Sequence, residues 1–174
     1  MKTASGTILA ILAVLGVLAL AGCARTQVAS PIQTTYEQQD MTAELDFWHE
    51  LADRPVTTNN EAVHGLIVLA NGHDPNDDYA TRLGWLRDNG YLSVGVNESG
   101  AAAVERGTVA HILAQMLDIK GGLTMRVIGP HPRYAMRELT YMDLMPYGSP
   151  QQGMTGIEFL DLVAKAQDYM ERDS

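Results

Sequence analysis

Apolar residues recur at intervals of three and four positions through most of the chain. In segment 41–55, Leu45, Trp48 and Leu51 form one stripe, which is the spacing of a helix face. Five further segments repeat this pattern, and they span 58–70, 79–92, 105–117, 132–146 and 155–167. Only 121–134 alternates in the manner of a strand, and there we expect irregular structure. The pattern predicts an all-α fold of about six helices with long connecting loops.

Helix-breaking residues predict where several of these helices end. Asn89 and Gly90 tolerate the left-handed turn that often follows a helix, so the segment that begins at Tyr79 should stop there. Pro55 and Pro146 should end the first and fifth helices, because proline cannot continue a helix.

Two segments open with Thr-x-x-Glu, the sequence of a capping box. Thr58 precedes Glu61, and Thr155 precedes Glu158, each pair at the same spacing. In such a box the threonine hydroxyl accepts a hydrogen bond from the glutamate backbone, and the glutamate carboxylate accepts one from the threonine backbone. We expect each box to stabilise its helix by about 1 kcal/mol. A recognition motif is the alternative interpretation of the same pairs.

Three of the predicted helices align without gaps, and their starts lie 47 and 50 residues apart. A period of this length is typical of repeat architectures. Apolar residues share three columns at i, i+4 and i+7, namely Ala62, Val109 and Phe159; Leu66, Leu113 and Val163; and Leu69, Met116 and Ala166. A polar column on a different face holds His64, His111 and Asp161, and we expect the two histidines to be partly buried between repeats. The chain is therefore predicted to be built of helical-hairpin repeats.

This arrangement resembles the S-layer homology (SLH) domain. In that family a helix, a turn near Gly-aromatic-Leu and a loop lead to a helix that opens with Thr-Arg-Ala-Glu. The openings TNNE and TGIE keep the threonine and the glutamate but lack the arginine, whereas ERGT keeps Arg106 and lacks the other two. SLH modules bind peptidoglycan or cell-wall polysaccharide in grooves between repeats, so the resemblance implies that Arg106 contacts such a ligand. Region 121–152 is also similar to uncharacterised bacterial envelope lipoproteins.

Residues 1–22 have the pattern of a lipoprotein signal peptide. Lys2 precedes an apolar stretch from Ile8 to Leu20, which is shorter than the ~20 residues that cross a bilayer. Leu-Ala-Gly-Cys, ending at Cys23, resembles a bacterial lipobox, which implies cleavage before Cys23 and acylation of its thiol. The alternative is an ordinary secreted protein with a cysteine at its cleavage site.

The residues after Cys23 predict where the protein is held. Ala24 follows the cysteine, and by the lipoprotein resemblance the absence of aspartate there implies the outer membrane rather than the inner membrane. Residues 24–40 are polar and lack an apolar period, so 23–40 is interpreted as the lipidated cysteine and a flexible tether. The remainder, 41–174, is long enough for one helical-repeat domain with its own core.

The charge and cysteine content narrow the choice of partners. The chain has 12 basic and 21 acidic side chains, a formal charge of −9, which makes nucleic acid an improbable partner. It also gives no polybasic attraction to anionic lipid, so acylation would hold the protein to the membrane. Cys23 is the only cysteine, and its acylation would leave no thiol for a disulfide or for catalysis.

Basic residues offer the best candidate binding cluster. Arg133 and Arg137, together with Arg106 and Arg126, could hold an acidic glycan or a protein carboxylate. An exposed surface of salt bridges is the alternative. Aromatic residues could stack on sugar rings or serve as core, and these are Trp48, Trp85, Tyr91, Tyr134 and Tyr141.

Metal and cofactor motifs are not evident in the sequence. The five histidines form no zinc pattern. Asp74, Asn76 and Asp78 match the first calcium ligands of an EF-hand, but Tyr79 stands where glycine is needed and Trp85 where glutamate is needed. A turn and a helix cap are the simpler interpretation of these residues.

The sequence therefore favours a binding protein over an enzyme. It contains no nucleophile elbow, phosphate loop or dinucleotide motif, and no catalytic residue or cofactor is assigned. We expect an envelope lipoprotein that binds peptidoglycan or another cell-wall polysaccharide. The alternative is a protein-interaction or assembly subunit of an envelope complex, since stacked helical pairs offer concave surfaces to partner proteins.

Overall fold

A computed structural model describes residues 27–36, 40–92, 99–121 and 131–173. Within these ranges the chain forms six α-helices and no sheet, which confirms the predicted all-α fold. The helices are α1 (Met41–Ala52), α2 (Asn59–Asn71), α3 (Tyr79–Asp88), α4 (Arg106–Met116), α5 (Pro132–Tyr141) and α6 (Gly156–Asp173). The predicted signal peptide, Cys23, Arg126 and most of segment 121–134 lie outside the described residues.

Both predicted capping boxes are present. At α2, the backbone N–H of Thr58 donates to Glu61 Oε2 at 2.7 Å, and the Glu61 N–H donates to Thr58 Oγ1 at 3.2 Å. At α6, Thr155 and Glu158 exchange the same two bonds at 3.0 and 3.3 Å. Each box thus satisfies two backbone groups that a helix start would otherwise leave unpaired.

Helix ends agree with the predictions at α3 and differ at α5. The α3 helix ends at Asp88, with Asn89 as its cap and Gly90 in the left-handed region at φ 76°. In contrast, α5 ends at Tyr141, well before Pro146. The chain then turns at Asp143, which has φ 61°, and Leu144 and Met145 after this turn are buried in the core. Burial of these two side chains, rather than the proline, ends the helix.

The three helices that align in sequence, α2, α4 and α6, meet at their N-termini. Thr57, Val104 and Met154 hold equivalent positions, one residue before each aligned start. The Val104 N–H donates to the Thr57 carbonyl at 2.9 Å, and the Thr57 N–H donates to the Met154 carbonyl at 2.8 Å. Isolated bridges between Thr58 and Ala103 and between Glu105 and Gly153 extend this junction. Equivalent backbone positions of the three aligned segments are therefore bonded to one another.

Each of these three helices packs against one of the other three helices. The pairs are α2 with α3, α4 with α5, and α6 with α1, so among the described helices the last packs on the first. Most of the aligned apolar columns are buried in the shared core, including Ala62, Val109 and Phe159. The polar column does not face solvent throughout, since His64 and His111 are buried while Asp161 is exposed. The polar column is thus buried at two of its three positions, the two histidines.

Residues 27–36, which we call the strap, are not a free tether. The Val28 N–H donates to the Ala101 carbonyl at 3.0 Å, and the Ile32 N–H donates to Glu61 Oε1 at 2.9 Å. The Ile32 and Thr34 side chains are buried against the helices. The prediction of a flexible tether is therefore wrong for the strap, because its few apolar and hydroxyl side chains find partners that its composition does not reveal.

Candidate binding groove and buried polar network

An open groove of about 740 Å³ lies between α5 and the loop that follows Tyr147. Two arginines and two tyrosines line it, namely Arg133, Arg137, Tyr134 and Tyr147, and Gln151 contributes an amide. We call this site the basic groove. Its lining combines cationic donors with aromatic faces, the groups that bind carboxylated or sugar ligands.

The α5 helix presents both arginines on one side. Arg133 and Arg137 are one turn apart and exposed, while Ala135, Met136 and Leu139 are buried. The helix starts at Pro132, and the His131 ring accepts a hydrogen bond from the Arg133 backbone at 3.3 Å. Neither guanidinium forms an ion pair with any residue that the structure describes. Among the described residues, these two side chains are therefore not part of a surface of salt bridges.

Two tyrosines line the groove, and they differ in exposure. Tyr147 is 92% exposed, so its ring is held by little besides the loop that carries it. Tyr134 is half-buried and packs edge-on against His131, with ring centroids 6.0 Å apart. The tryptophans behave differently, because Trp48 and Trp85 pack against the hydrophobic core. Of the aromatic residues considered from sequence, Tyr134 is the one placed in the groove.

Arg106 does not line the groove, contrary to the role that the SLH resemblance implies. Its side chain is 4% exposed, and its guanidinium is paired with Glu158 of α6. Gly148, which lines the groove, lies over this guanidinium, and a Cβ added there would lie 3.1 Å from Arg106 Nη1. Arg106 is thus close to Arg133 and Arg137 in space but sits behind the groove wall as a structural ion pair.

Glu158 carries two roles at once. One oxygen caps α6 through the Thr155 backbone, and the other accepts from Arg106. Partial burial alone would raise its pKa, but the Thr155 backbone hydrogen bond and the charge of Arg106 outweigh that effect and lower the pKa. Glu158 is therefore ionised at neutral pH.

A second polar assembly, the buried polar network, joins the strap to three helices. His64 Nδ1 lies 2.8 Å from Asp74 Oδ2, and His64 Nε2 lies 2.7 Å from the Tyr36 hydroxyl. Tyr36 also makes a short hydrogen bond to Glu44, and Arg82 makes one to Asp74. The side chains of His64, Asp74 and Arg82 are each no more than 1% exposed.

Arg82 is satisfied at every donor. Its Nε bonds Asp74, and its two Nη atoms bond the Thr34 hydroxyl, the Thr34 carbonyl, Asn60 Oδ1 and the Asn76 carbonyl. A guanidinium has five N–H donors, and five acceptors surround this one. Such complete pairing is what allows a charge to be buried, and it fixes the middle of the strap to α2 and α3.

Electrostatics in this network follow from burial and hydrogen bonding. Burial raises the pKa of the Tyr36 hydroxyl far above its usual range, and the hydrogen bond to Glu44 adds to this effect. Burial would also raise the pKa of Asp74, but hydrogen bonds from His64, Arg82 and Asn76 prevail and lower it. Tyr36 thus keeps its proton while Asp74 stays ionised.

The segment that resembles an EF-hand forms a turn and a cap, as expected. Asp74 Oδ1 accepts from the Asn76 backbone at 3.0 Å, and Asp78 caps α3 by accepting from Thr81 at 2.8 Å. Across the described ranges, no group of three or more His, Cys, Asp or Glu side chains is placed to hold a metal ion.

An apolar groove of about 670 Å³ lies between α2 and α6. Trp48, Leu69, Leu160, Val163 and Met170 are among its lining residues. A polysaccharide exposes hydroxyl and carboxyl groups that need hydrogen-bonding partners, and this lining supplies few. The apolar groove is therefore the poorer site for a polar polymer.

Sequence reasoning missed the buried polar network entirely. Tyr36 and Thr34 lie in a segment without apolar period, and His64 and Arg82 lie on helices far away in the chain. The one available signal was the position of His64 among apolar residues of α2, which indicates burial and hence a polar partner.

Comparison with protein-family models, curated proteins and solved structures found no match to this chain. Among the described helices, none combines the length and the apolar character needed to cross a bilayer.

Proposed function

We propose that this protein is an envelope lipoprotein that binds an acidic cell-wall polymer, peptidoglycan or another carboxylated polysaccharide, in the basic groove and does not catalyse a reaction on it. The observation that carries the proposal is a pair of exposed arginines without ion-pair partners among the described residues, set beside exposed Tyr147 in a chain of net charge −9. An acidic protein has many carboxylates that could pair with these arginines. Two exposed arginines without such partners among the described residues therefore favour binding of an external acidic ligand.

The chemistry of the groove suits such a polymer. Arg133 and Arg137 can each offer a planar pair of N–H donors to a carboxylate, as found in peptide stems and in uronic acids. The tyrosine faces can pack on the apolar faces of sugar rings. Because the groove is open, a long chain can lie across it without an end having to enter.

The position of the strap adds to the proposal. If Cys23 is acylated, only four peptide units separate the anchor from Gln27, the first strap residue that bonds the domain. Four residues span at most about 14 Å when fully extended. The domain would then lie close to the membrane surface and would reach the polymer nearest to it.

Sedimentation with purified peptidoglycan tests the proposal. The protein without residues 1–22 and with Cys23→Ser keeps every described residue, so its groove is intact. We expect it to sediment with peptidoglycan at low salt and to be released as salt rises, since the contacts are ionic. Absence of sedimentation at every salt concentration would refute polymer binding.

An assembly role remains the second candidate, because the same groove would accept a protein segment rich in carboxylates. The two candidates differ in what the arginines hold. Cross-linking from a photoreactive residue at position 147 in intact envelopes, repeated with Arg133→Ala and Arg137→Ala, separates them. A discrete protein adduct that requires both arginines, without peptidoglycan sedimentation, would assign the groove to a protein partner.

A further inference from the structure

The apolar groove between α2 and α6 has the shape and the lining that an alkyl chain requires. On α6 it extends from Leu160 to Glu171, eleven positions or about 16 Å. Half-buried apolar side chains form most of its walls, and these are Trp48, Val68, Leu69, Leu160, Val163 and Met170. An alkyl chain has no polar group to satisfy, so it can leave water for this lining without losing a hydrogen bond.

The charge of the protein disfavours a second copy as the occupant. Each copy has a formal charge of −9, and Glu171 adds a carboxylate to the groove itself, so two copies would repel each other. The acyl chains that the proposed function places on Cys23 carry no charge and belong to the same molecule. Distance decides whether one of them can be the occupant.

The groove begins close to the first residue of the strap. Gln27 forms a bridge with Ala102, and the Ala102 carbonyl accepts from the Asn59 N–H at 2.8 Å. At about 5 Å for each pair, Gln27 lies about 10 Å from the start of α2. Trp48 marks the near end of the groove, because it lies beside Gly65, which is six residues or about 9 Å along α2. Gln27 is therefore at most about 20 Å from the groove.

An acyl chain on Cys23 can cover this distance. The four residues from Cys23 to Gln27 span up to about 14 Å, which leaves about 6 Å for the alkyl chain to cross before it enters the groove. Attachment to the same molecule also raises the effective concentration of the alkyl chain to the order of millimolar.

We propose that the apolar groove holds one acyl chain of the protein's own lipidated Cys23. This inference rests on the acylation that the proposed function includes. Docking removes that chain from the bilayer, so membrane affinity falls because fewer chains remain inserted. The groove thus lowers the cost of releasing the protein from the membrane.

Trp48 reports the occupant of the groove, because Trp85, the only other tryptophan, packs against the hydrophobic core and does not line the groove. The mature chain 23–174 with Cys23→Ser and Trp85→Phe is titrated with dibrominated stearate, whose bromine atoms quench tryptophan on contact. We expect saturable quenching of Trp48. Absence of quenching would overturn the proposal.

Ala164→Phe should weaken this binding about tenfold, since the exposed alanine lines the groove and a phenyl ring there takes the place of several methylenes. Ile157→Phe adds a ring at an exposed position of the same helix outside the groove, and it should bind as the parent does. Equal weakening by both variants would overturn the assignment to the groove. A dimer of the Cys23→Ser chain that Ala164→Phe dissociates would assign the groove to a second copy instead.

The acylated protein shows whether its own chain is the occupant. Cells are supplied with a brominated fatty acid, so that the acyl chains on Cys23 carry bromine, and the acylated Trp85→Phe protein is purified in detergent. We expect strong quenching of Trp48, compared with protein from cells given the unbrominated acid, and its loss in Ala164→Phe. Equal quenching in the Cys23→Ser chain from the same cells would assign the groove to free membrane lipid.

The outcomes separate this inference from the proposed function. An acylated protein with unquenched Trp48 would overturn docking and leave the envelope lipoprotein intact. Lack of acylation in the mass spectrum would refute both the anchor and the docking. Sedimentation with peptidoglycan depends on the basic groove, so Ala164→Phe should leave it unchanged.

Discussion

Arg106 of α4 is paired with Glu158 of α6, which already caps its own helix. Glu61 has the same double use at α2, since one oxygen caps that helix and the other accepts from Ile32 of the strap. In each capping box, the glutamate oxygen that does not cap the helix therefore accepts a hydrogen bond from a neighbouring segment. The two Thr-x-x-Glu motifs begin helices and also join the parts of the fold.

A double-mutant cycle on Arg106→Met and Glu158→Gln should show coupling between the two residues. We expect an interaction free energy of about 1 kcal/mol, because the guanidinium is buried while the Glu158 side chain is 33% exposed. Urea unfolding of the four proteins gives this quantity. The same cycle on Lys165 and Asp161, an ion pair exposed at 39% and 56%, is the control and should give less than about 0.5 kcal/mol. Equal coupling in both cycles would contradict the structural role of Arg106.

Gly156→Ala should unfold or severely destabilise the protein. A Cβ at this position would lie 1.5 Å from the Leu51 carbonyl oxygen, a backbone atom that can move only if α1 and α6 separate. We expect a loss above about 4 kcal/mol in the free energy of unfolding. Gly84→Ala is the matched control, since its Cβ meets nothing within 4 Å in the middle of α3, and it should stabilise by about 0.5–1 kcal/mol. Near-wild-type stability of Gly156→Ala would contradict the close approach.

Acid should destabilise the protein through Asp74. Its pKa is lowered in the folded state by His64 and Arg82, so its contribution is fully present above the ordinary pKa near 3.9 and is lost as the pH falls through the lowered value. Urea unfolding between pH 5 and pH 2.5 should therefore show a decline in stability. Asp74→Asn should cost about 3–5 kcal/mol at pH 7, because it leaves Arg82 buried without its counterion, and should flatten the acid decline.

Asp168→Asn removes an exposed carboxylate and provides the control for this experiment. Its acid profile should follow that of the wild type. If Asp74→Asn declined in acid as steeply as Asp168→Asn, the pH dependence would have to come from other carboxylates.

Arg133→Ala with Arg137→Ala should strongly weaken the binding of peptidoglycan without loss of stability. Both side chains are exposed, so their removal leaves no buried group unpaired, while each lost carboxylate contact should weaken binding about five- to tenfold. Arg87→Ala with Arg172→Ala removes the same charge at other exposed sites. Equal weakening by the two double variants in the sedimentation assay would show that net charge, and not the groove, drives binding.

Tyr147→Ala should weaken binding about three- to tenfold and leave the thermal midpoint unchanged. The ring is 92% exposed and contributes nothing to the core, but it stands over the groove where a sugar ring would pack. Tyr141→Ala is the matched control, because that ring is also exposed, at 89%, yet does not line the groove. Comparable losses in both variants would argue against stacking at Tyr147.

Features encoded locally could be predicted from the sequence. The six helices and both capping boxes follow from periods and spacings within about fifteen residues, and the structure confirms them. The shared position of Arg133 and Arg137 is also local, because they are one helical turn apart.

Features that depend on distant parts of the chain could not be predicted. Arg106 faces Glu158 across 52 positions, and Tyr36 faces His64 across 28. No local pattern records such pairings. The SLH resemblance therefore assigns Arg106 to a ligand, and the polar composition assigns the strap to a tether. Gly156 illustrates the same limit, since it occupies the place of Arg106 in the third repeat and leaves no room for any side chain against Leu51.

The packing of α6 on α1 has a consequence for how the protein is made. An array of open repeats can fold from its first unit onward while synthesis continues, but here α1 packs on α6, which begins more than 100 positions later in the chain. The Thr57 N–H likewise cannot donate to the Met154 carbonyl until residue 154 has been synthesised. The packing of α1 and α2 should therefore stay incomplete until α6 has been synthesised, which leaves their apolar faces open to chaperones until then.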